Sequence, residues 1–155
     1  MKKVGIIMGS DSDLPILRKS MDILKELDIP FECHIFSAHR TPAEARDFAL
    51  NARANGFGAL IAAAGMAAHL AGAIAANTTL PVIGIPCKGP VLVQMPTGIP
   101  VATVAINGGA NAALLAAQIL AVSDEDLARK LDEKRAKDAK KVLEKDAALQ
   151  QELNV

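Results

Sequence analysis

Six consecutive residues, Ser37-Ala38-His39-Arg40-Thr41-Pro42, join a group that can move a proton near neutral pH to a permanent cation. An unperturbed imidazole titrates close to neutrality, and a guanidinium is a planar fork that fits carboxylates and phosphates. His39 can therefore exchange a proton with a bound molecule while Arg40 holds an anion. Taken alone, the pair suits an ordinary surface loop equally well.

A second candidate is Gly9-Ser10-Asp11-Ser12-Asp13. Glycine lets the backbone come close to a ligand, and serine hydroxyls beside free helix N–H groups suit phosphate or hydroxyl oxygens. Serine and aspartate are also what any helix start prefers, so an N-cap cluster explains the same residues. Two acids sit awkwardly beside a phosphate, which makes Asp13 the choice for accepting hydrogen bonds from sugar hydroxyls. The pattern is neither a P-loop nor GxGxxG, so ATP and NAD are not indicated. Gly65 and His69 occupy a third turn of this kind. A lone histidine among alanines is more often buried and hydrogen-bonded, and His69 is read as structural, as is His34 within its strand. Lys88 faces either an anionic ligand or solvent, and Gln94-Met95-Pro96 either covers a site or forms a subunit contact.

These turns need elements on both sides. Val4 to Met8 is a continuous apolar run, the mark of a parallel strand buried on both faces. Leu14, Leu17, Met21, Leu24 and Leu27 recur at helical spacing behind Pro15, and Asp28-Ile29-Pro30 ends that helix. Phe31 to Phe36 reads as the second strand and Ala43 to Ala54 as the second helix, closing at Asn55-Gly56. Gly58 to Ala63 and Pro81 to Pro86 are further strands, separated by a helix through Ala76. Cys87 to Pro100 carries three prolines and no helical period, so an irregular connection is expected before a fifth strand, Val101 to Ile106. Asn107-Gly108-Gly109 then opens an apolar helix, Ala110 to Val122. Ser123 to Asp126 has capping-box spacing, and the last helix, about Asp124 to Leu149, has a thin apolar stripe of Leu127, Leu131, Ala139, Val142 and Leu143. Strands alternating with helices predict an α/β protein with a parallel sheet and right-handed crossovers. In such sheets ligands bind outside the carboxyl ends of the strands, where all three turns fall.

The 155 residues suit one domain, an α/β core over 1–122 and a C-terminal helix over 123–155. Lysine plus arginine equals aspartate plus glutamate at 17 each, so no overall field attracts nucleic acid or an anionic membrane. Two cysteines without CxxC or paired histidines argue against structural zinc and fit a reducing compartment. No signal-peptide pattern precedes the first strand, which places the chain in the cytoplasm. From Ala54 to Val122 the only Asp, Glu, Lys or Arg is Lys88. So apolar a stretch must face a core, a membrane or other subunits. Its many prolines disfavour a membrane, which leaves burial in a homo-oligomer.

Five segments now stand in order: Gly9 to Asp13, Ser37 to Pro42, Ala67-Ala68-His69-Leu70, Val93 to Val101 and Asn111 to Ala116. Over nearly the whole chain this set resembles the PurE family, and within it the N5-carboxyaminoimidazole ribonucleotide mutases of purine biosynthesis. The resemblance implies a flavodoxin-like three-layer α/β/α sandwich with an extended C-terminal helix, assembled as a homo-octamer. It implies a cofactor-free isomerisation of a ribonucleotide in which a carboxylate moves from the exocyclic nitrogen to ring carbon C4. His39 would be the general acid/base. Ser10, Asp13 and Arg40 would bind the ribose phosphate, with Ser12 and Ser37 completing the substrate-binding set. The Gly65 loop would line the pocket for the migrating carbon dioxide. The related direct carboxylases usually carry lysine where Arg40 stands, so Arg40 points to the mutase. Two departures bear on the pocket, the family commonly having glycine at Met66 and proline at Ala71; a third, the lack of the family's short helix between Leu92 and Val93, falls in the irregular connection and reads either as a truncated loop or as residues left out.

Overall fold

Because side chains alternate along a strand, a run that is apolar at every position can be satisfied only between two helical layers. The computed structural model, which describes residues 1–65, 69–87 and 94–154, has that arrangement. Among these residues the strands are β1 (Lys3–Met8), β2 (Phe31–Ile35), β3 (Phe57–Ala64), β4 (Val82–Pro86) and β5 (Ala102–Thr103). They form one sheet in the order β2-β1-β3-β4-β5, and every pairing is parallel. Ile6 stands between Cys33 and Ile61, and Ile61 opposite Ile83, so one aliphatic row crosses the sheet.

The helices are α1 (Leu14–Glu26), α2 (Pro42–Asn51), α3 (Leu70–Ala75), α4 (Gly109–Ala121) and α5 (Glu125–Leu153). Neighbouring strand residues serve opposite layers. Ile6, Ile61 and Ile83 pack with Leu17 and Leu24 of α1, Ala116 of α4 and Leu127 of α5. Ile7, Leu60 and Val82 pack with Ala45 and Ala49 of α2 and Ile74 of α3. The result is the three-layer flavodoxin-like sandwich, with the strand order that reverses direction at β1 and β3.

Two local features fix the layers. Asp28, with φ 56°, takes the left-handed conformation that stops α1. Gly109 begins α4 so close to α1 that a Cβ there would run into the carbonyl oxygen of Ile16. The buried Ser20 hydroxyl of α1 donates to the Gly109 carbonyl at 2.7 Å, tying the two helices together.

On the β2 edge, Lys3 Nζ pairs with Glu32 and lies 4.5 Å over the Phe57 ring. The Lys3 ammonium, with His34 on the other carboxylate oxygen, holds Glu32 below the usual carboxylate range. His34 also stacks on Phe36 at 5.1 Å between centroids, the structural role expected of it. Both cysteines are free thiols, and burial pushes the Cys33 thiol up.

The sequence expectations need adjusting in four places. The fifth strand shrinks from Val101–Ile106 to two exposed residues, because only β4 lies beside it. Backbone bonds from Val104 to Gly84 and from Asn107 to Pro86 still carry the chain along that edge. The second helix stops at Asn51, and turns lead to Gly56, at φ 88°. The N-cap of α5 is Asp124, whose carboxylate accepts the Leu127 N–H at 3.0 Å, so the cap sits one residue beyond Ser123. Finally, α5 continues to Leu153. Lys130 pairs with Asp28 at 2.9 Å and Lys134 reaches Glu26 at 3.6 Å, docking its first half on the end of α1. Residues 94–101 carry no helix or strand, and Met95 packs against Gly72. Met66, Lys88 and the Leu92–Val93 junction lie outside the described residues. Among those described, no helix is long and apolar enough to cross a membrane.

Candidate active site

Three strand ends converge at the point where the strand order reverses. β1 runs into Gly9 and Ser10 and then a short 3-10 turn, Asp11–Asp13. Ser10 Oγ accepts the Ser12 N–H at 3.3 Å and the Ser12 hydroxyl at 3.1 Å, so the two serines brace each other. Asp13 is only 4% exposed, and its N–H donates to the Ser10 carbonyl.

After β2 the chain folds into a tight turn before α2. Ser37 Oγ accepts the N–H groups of Arg40 at 3.0 Å and His39 at 3.3 Å. With those donors on its lone pairs, the Ser37 hydroxyl keeps its own proton for another acceptor. Thr41 is the N-cap of α2, yet its side chain makes no capping bond. It turns back instead, accepting the Ser37 N–H at 2.7 Å and donating to the Ser37 carbonyl at 3.2 Å. His39 and Arg40 are both exposed, and the Arg40 guanidinium pairs with no carboxylate among the described residues.

The third strand end brings Ala64 and Gly65, and His69 stands at the N-cap of α3. His69 corrects an expectation: it is exposed, not buried, and its ring stands perpendicular to that of His39 with centroids 6.1 Å apart. Its neighbours, all alanine or leucine, gave no polar pattern. The signal that bears on its exposure is positional, since it stands at the start of α3 near the loop after β2.

All the turns open on one cavity of about 490 Å³, lined by Ser10, Ser12, Asp13, Ser37, His39, Arg40 and Gly65. Every site residue chosen from the sequence is therefore on its wall. A shallower hollow of about 350 Å³ continues past Arg40 to Asp11, Ile35 and Thr41. A Cβ built on Gly9 or on Gly65 would meet nothing within 4 Å among the described residues, so both glycines leave open space. A larger cavity of about 820 Å³ lies by Arg53, Asn77, Thr79 and Pro100, where β4 and β5 begin. It has no acid–base group, and chemistry is better served by the smaller space. That space joins one cation with no carboxylate partner among the described residues, one exposed imidazole, one buried carboxylate and several hydroxyls. Such a set can bind an anionic, hydroxyl-bearing molecule and move a proton on it.

Fold and cavity together define a flavodoxin-like α/β protein with its candidate site at the topological switch point, where such sheets bind ligands. The chain belongs to the family described as AIR carboxylase, which it matches over residues 3–141. It is 49% identical over 160 aligned residues to the N5-carboxyaminoimidazole ribonucleotide mutase of Thermotoga maritima, covering 97% of this chain and 94% of that protein. Its identity to the Bacillus subtilis protein of the same name is 53% over 152 residues, covering 91% and 94%. Among solved structures, Treponema denticola PurE is similar with a TM-score of 0.83 at 29% identity, covering 94% of this chain and 97% of that one.

Proposed function

We propose that this protein is an N5-carboxyaminoimidazole ribonucleotide mutase, carrying a carboxylate from the exocyclic nitrogen to C4 of the aminoimidazole ring. The observation that carries the reading is the cavity at which His39 meets the Gly9–Asp13 and Gly65 turns, with Arg40 unpaired beside it. The names of the Thermotoga and Bacillus relatives point to the same reaction.

Each residue then has a task. Arg40 and the Ser10 and Ser12 hydroxyls hold the phosphate, Asp13 accepts from ribose hydroxyls, and Ser37 donates its remaining proton to the ligand. His39, as imidazolium, protonates the carbamate nitrogen. The C–N bond breaks, leaving its electron pair on nitrogen and releasing carbon dioxide. C4 attacks the trapped gas, forming the new C–C bond, and neutral His39 removes the C4 proton, which restores the imidazolium. Nothing is oxidised or reduced, and each bond broken is matched by one formed, so the scheme calls on no redox cofactor. A positioned acid/base contributes about 10²–10⁴-fold, and the walls around Gly65 keep the gas from escaping.

We also propose a cytoplasmic homo-oligomer, an octamer by family resemblance. The short β5 edge, with Ile106 53% exposed next to it, supports burial between subunits. The deciding experiment supplies purified protein with N5-carboxyaminoimidazole ribonucleotide in one arm, and aminoimidazole ribonucleotide plus bicarbonate in the other. Isomerisation in the first without ATP or metal is expected. Turnover only in the second would make the protein a direct carboxylase, and turnover in neither would overturn both.

A further inference from the structure

The hydroxyl of Thr41 is spent in an unusual place. A threonine at an N-cap ordinarily accepts a hydrogen bond from the second or third N–H of its own helix. Here it makes no such bond. Both its lone pair and its proton are used on Ser37, four residues back: it accepts the Ser37 N–H at 2.7 Å and donates to the Ser37 carbonyl at 3.2 Å. The Thr41 N–H donates to the same carbonyl at 2.9 Å. Three bonds thus close the loop at its two ends, and Ser37 Oγ braces its middle through the N–H groups of His39 and Arg40. The side chains that leave this loop are the acid/base imidazole and the anion-binding guanidinium. Helix capping has been given up for rigidity of the loop that carries them.

We infer that Thr41 is a positioning residue for the reaction, its hydroxyl clamping the Ser37–Thr41 loop so that His39 meets the reacting atoms in register. Thr41 lines the outer hollow rather than the cavity holding His39, so it acts through the loop. The inference rests on the mutase reading. Displacing a reacting group by about 1 Å can cost on the order of 10²-fold in rate. Thr41→Val keeps the shape and removes the hydroxyl, while Thr41→Ser keeps the hydroxyl and removes the methyl.

The test measures kcat and KM of both variants, their thermal unfolding, and the amide exchange of Ser37. Thr41→Val is expected to lose kcat by roughly 10- to 100-fold with KM nearly unchanged, and Thr41→Ser to recover most of the rate. Ser37 should exchange much faster in Thr41→Val than in wild type. A Thr41→Val protein with wild-type kcat overturns the inference, and so does an equal loss in Thr41→Ser. If Thr41→Val fails to fold, Thr41→Ser decides, since a rate far below wild type would show that the methyl matters and not the hydroxyl. An inactive wild type overturns the functional reading instead. Ser37 exchange, which needs no substrate, then still decides whether the clamp exists, and unchanged exchange in Thr41→Val rejects it.

Discussion

The rings of His39 and His69 stand at right angles with their centroids 6.1 Å apart, one from the loop after β2 and the other from the start of α3. Residues this close act on each other's environment, so their substitutions should not be additive. His39→Asn is expected to lower turnover by at least about 10²-fold while leaving ribonucleotide affinity within a few-fold. His69→Asn should cost less, and the double variant should be no worse than His39→Asn. Steady-state rates and a calorimetric Kd for each protein check this. A His39→Asn enzyme with a comparable rate would remove the imidazole from the chemistry.

Gly65 offers a cleaner probe of the cavity than any polar residue. A Cβ there meets nothing within 4 Å among the described residues, so Gly65→Ala should unfold at nearly the wild-type temperature. On the proposed mechanism the added methyl instead occupies space meant for the migrating carbon dioxide. Turnover should fall, with part of the gas lost to solvent as aminoimidazole ribonucleotide accumulates. Full, tightly coupled turnover in that variant would mean that the carbon passes elsewhere.

The junction of α1 and α4 should report on stability without touching activity per molecule folded. Ser20→Ala removes the hydroxyl that donates to the Gly109 carbonyl at 2.7 Å, a loss of about 1 kcal/mol. Gly109→Ala forces a methyl against the Ile16 backbone oxygen, and overpacking of that kind costs about 1–3 kcal/mol. Urea unfolding should rank Gly109→Ala below Ser20→Ala, and the reverse order would mean that the helices part easily.

Acid should weaken the β2 edge in a defined window. The Lys3 ammonium, helped by His34, holds the Glu32 carboxyl low in the folded chain. A lowered folded value adds stability that is complete above the unfolded glutamate value of about 4.3 and is lost as pH falls through the folded value. Because Glu32 is 43% exposed, the effect is small. The stability gap between wild type and Glu32→Gln, followed by thermal melts, should be present at neutral pH and close in acid. A gap that persists at low pH would assign it to packing.

How much of this was legible beforehand depends on how local each cause is. β1, β3 and β4 announce themselves because burial on both faces leaves no polar position, and the Gly9 and Ser37 turns follow from a strand handing over to a helix. Asp13, Arg40 and His39 stand out by their chemistry, and the structure brings the three to one cavity. The exposure of His69 was not legible, because it rests on a ring 30 residues away and a run of alanines says nothing about which way a histidine faces. The end of β5 depends on having a single neighbour, which is a property of the sheet. The α5 cap slipped by one residue because Ser123 and Asp124 are both good caps, and tertiary docking of Leu127 chose between them.

One consequence follows from α5. At 29 residues it is about 44 Å long, more than the width of a small domain. Among the described residues its first turns are moored, through Leu127, Leu131, Lys130 and Lys134, while Val142 and Leu143 stand 65% and 69% exposed. Most helical stability comes from packing an apolar face, which the outer part of this rod lacks on its own protomer among the described residues. If the proposed oligomer sheathes its outer coils, far-ultraviolet ellipticity should fall across a dilution series, and ellipticity that holds at every concentration would mean that the rod stands without a sister protomer.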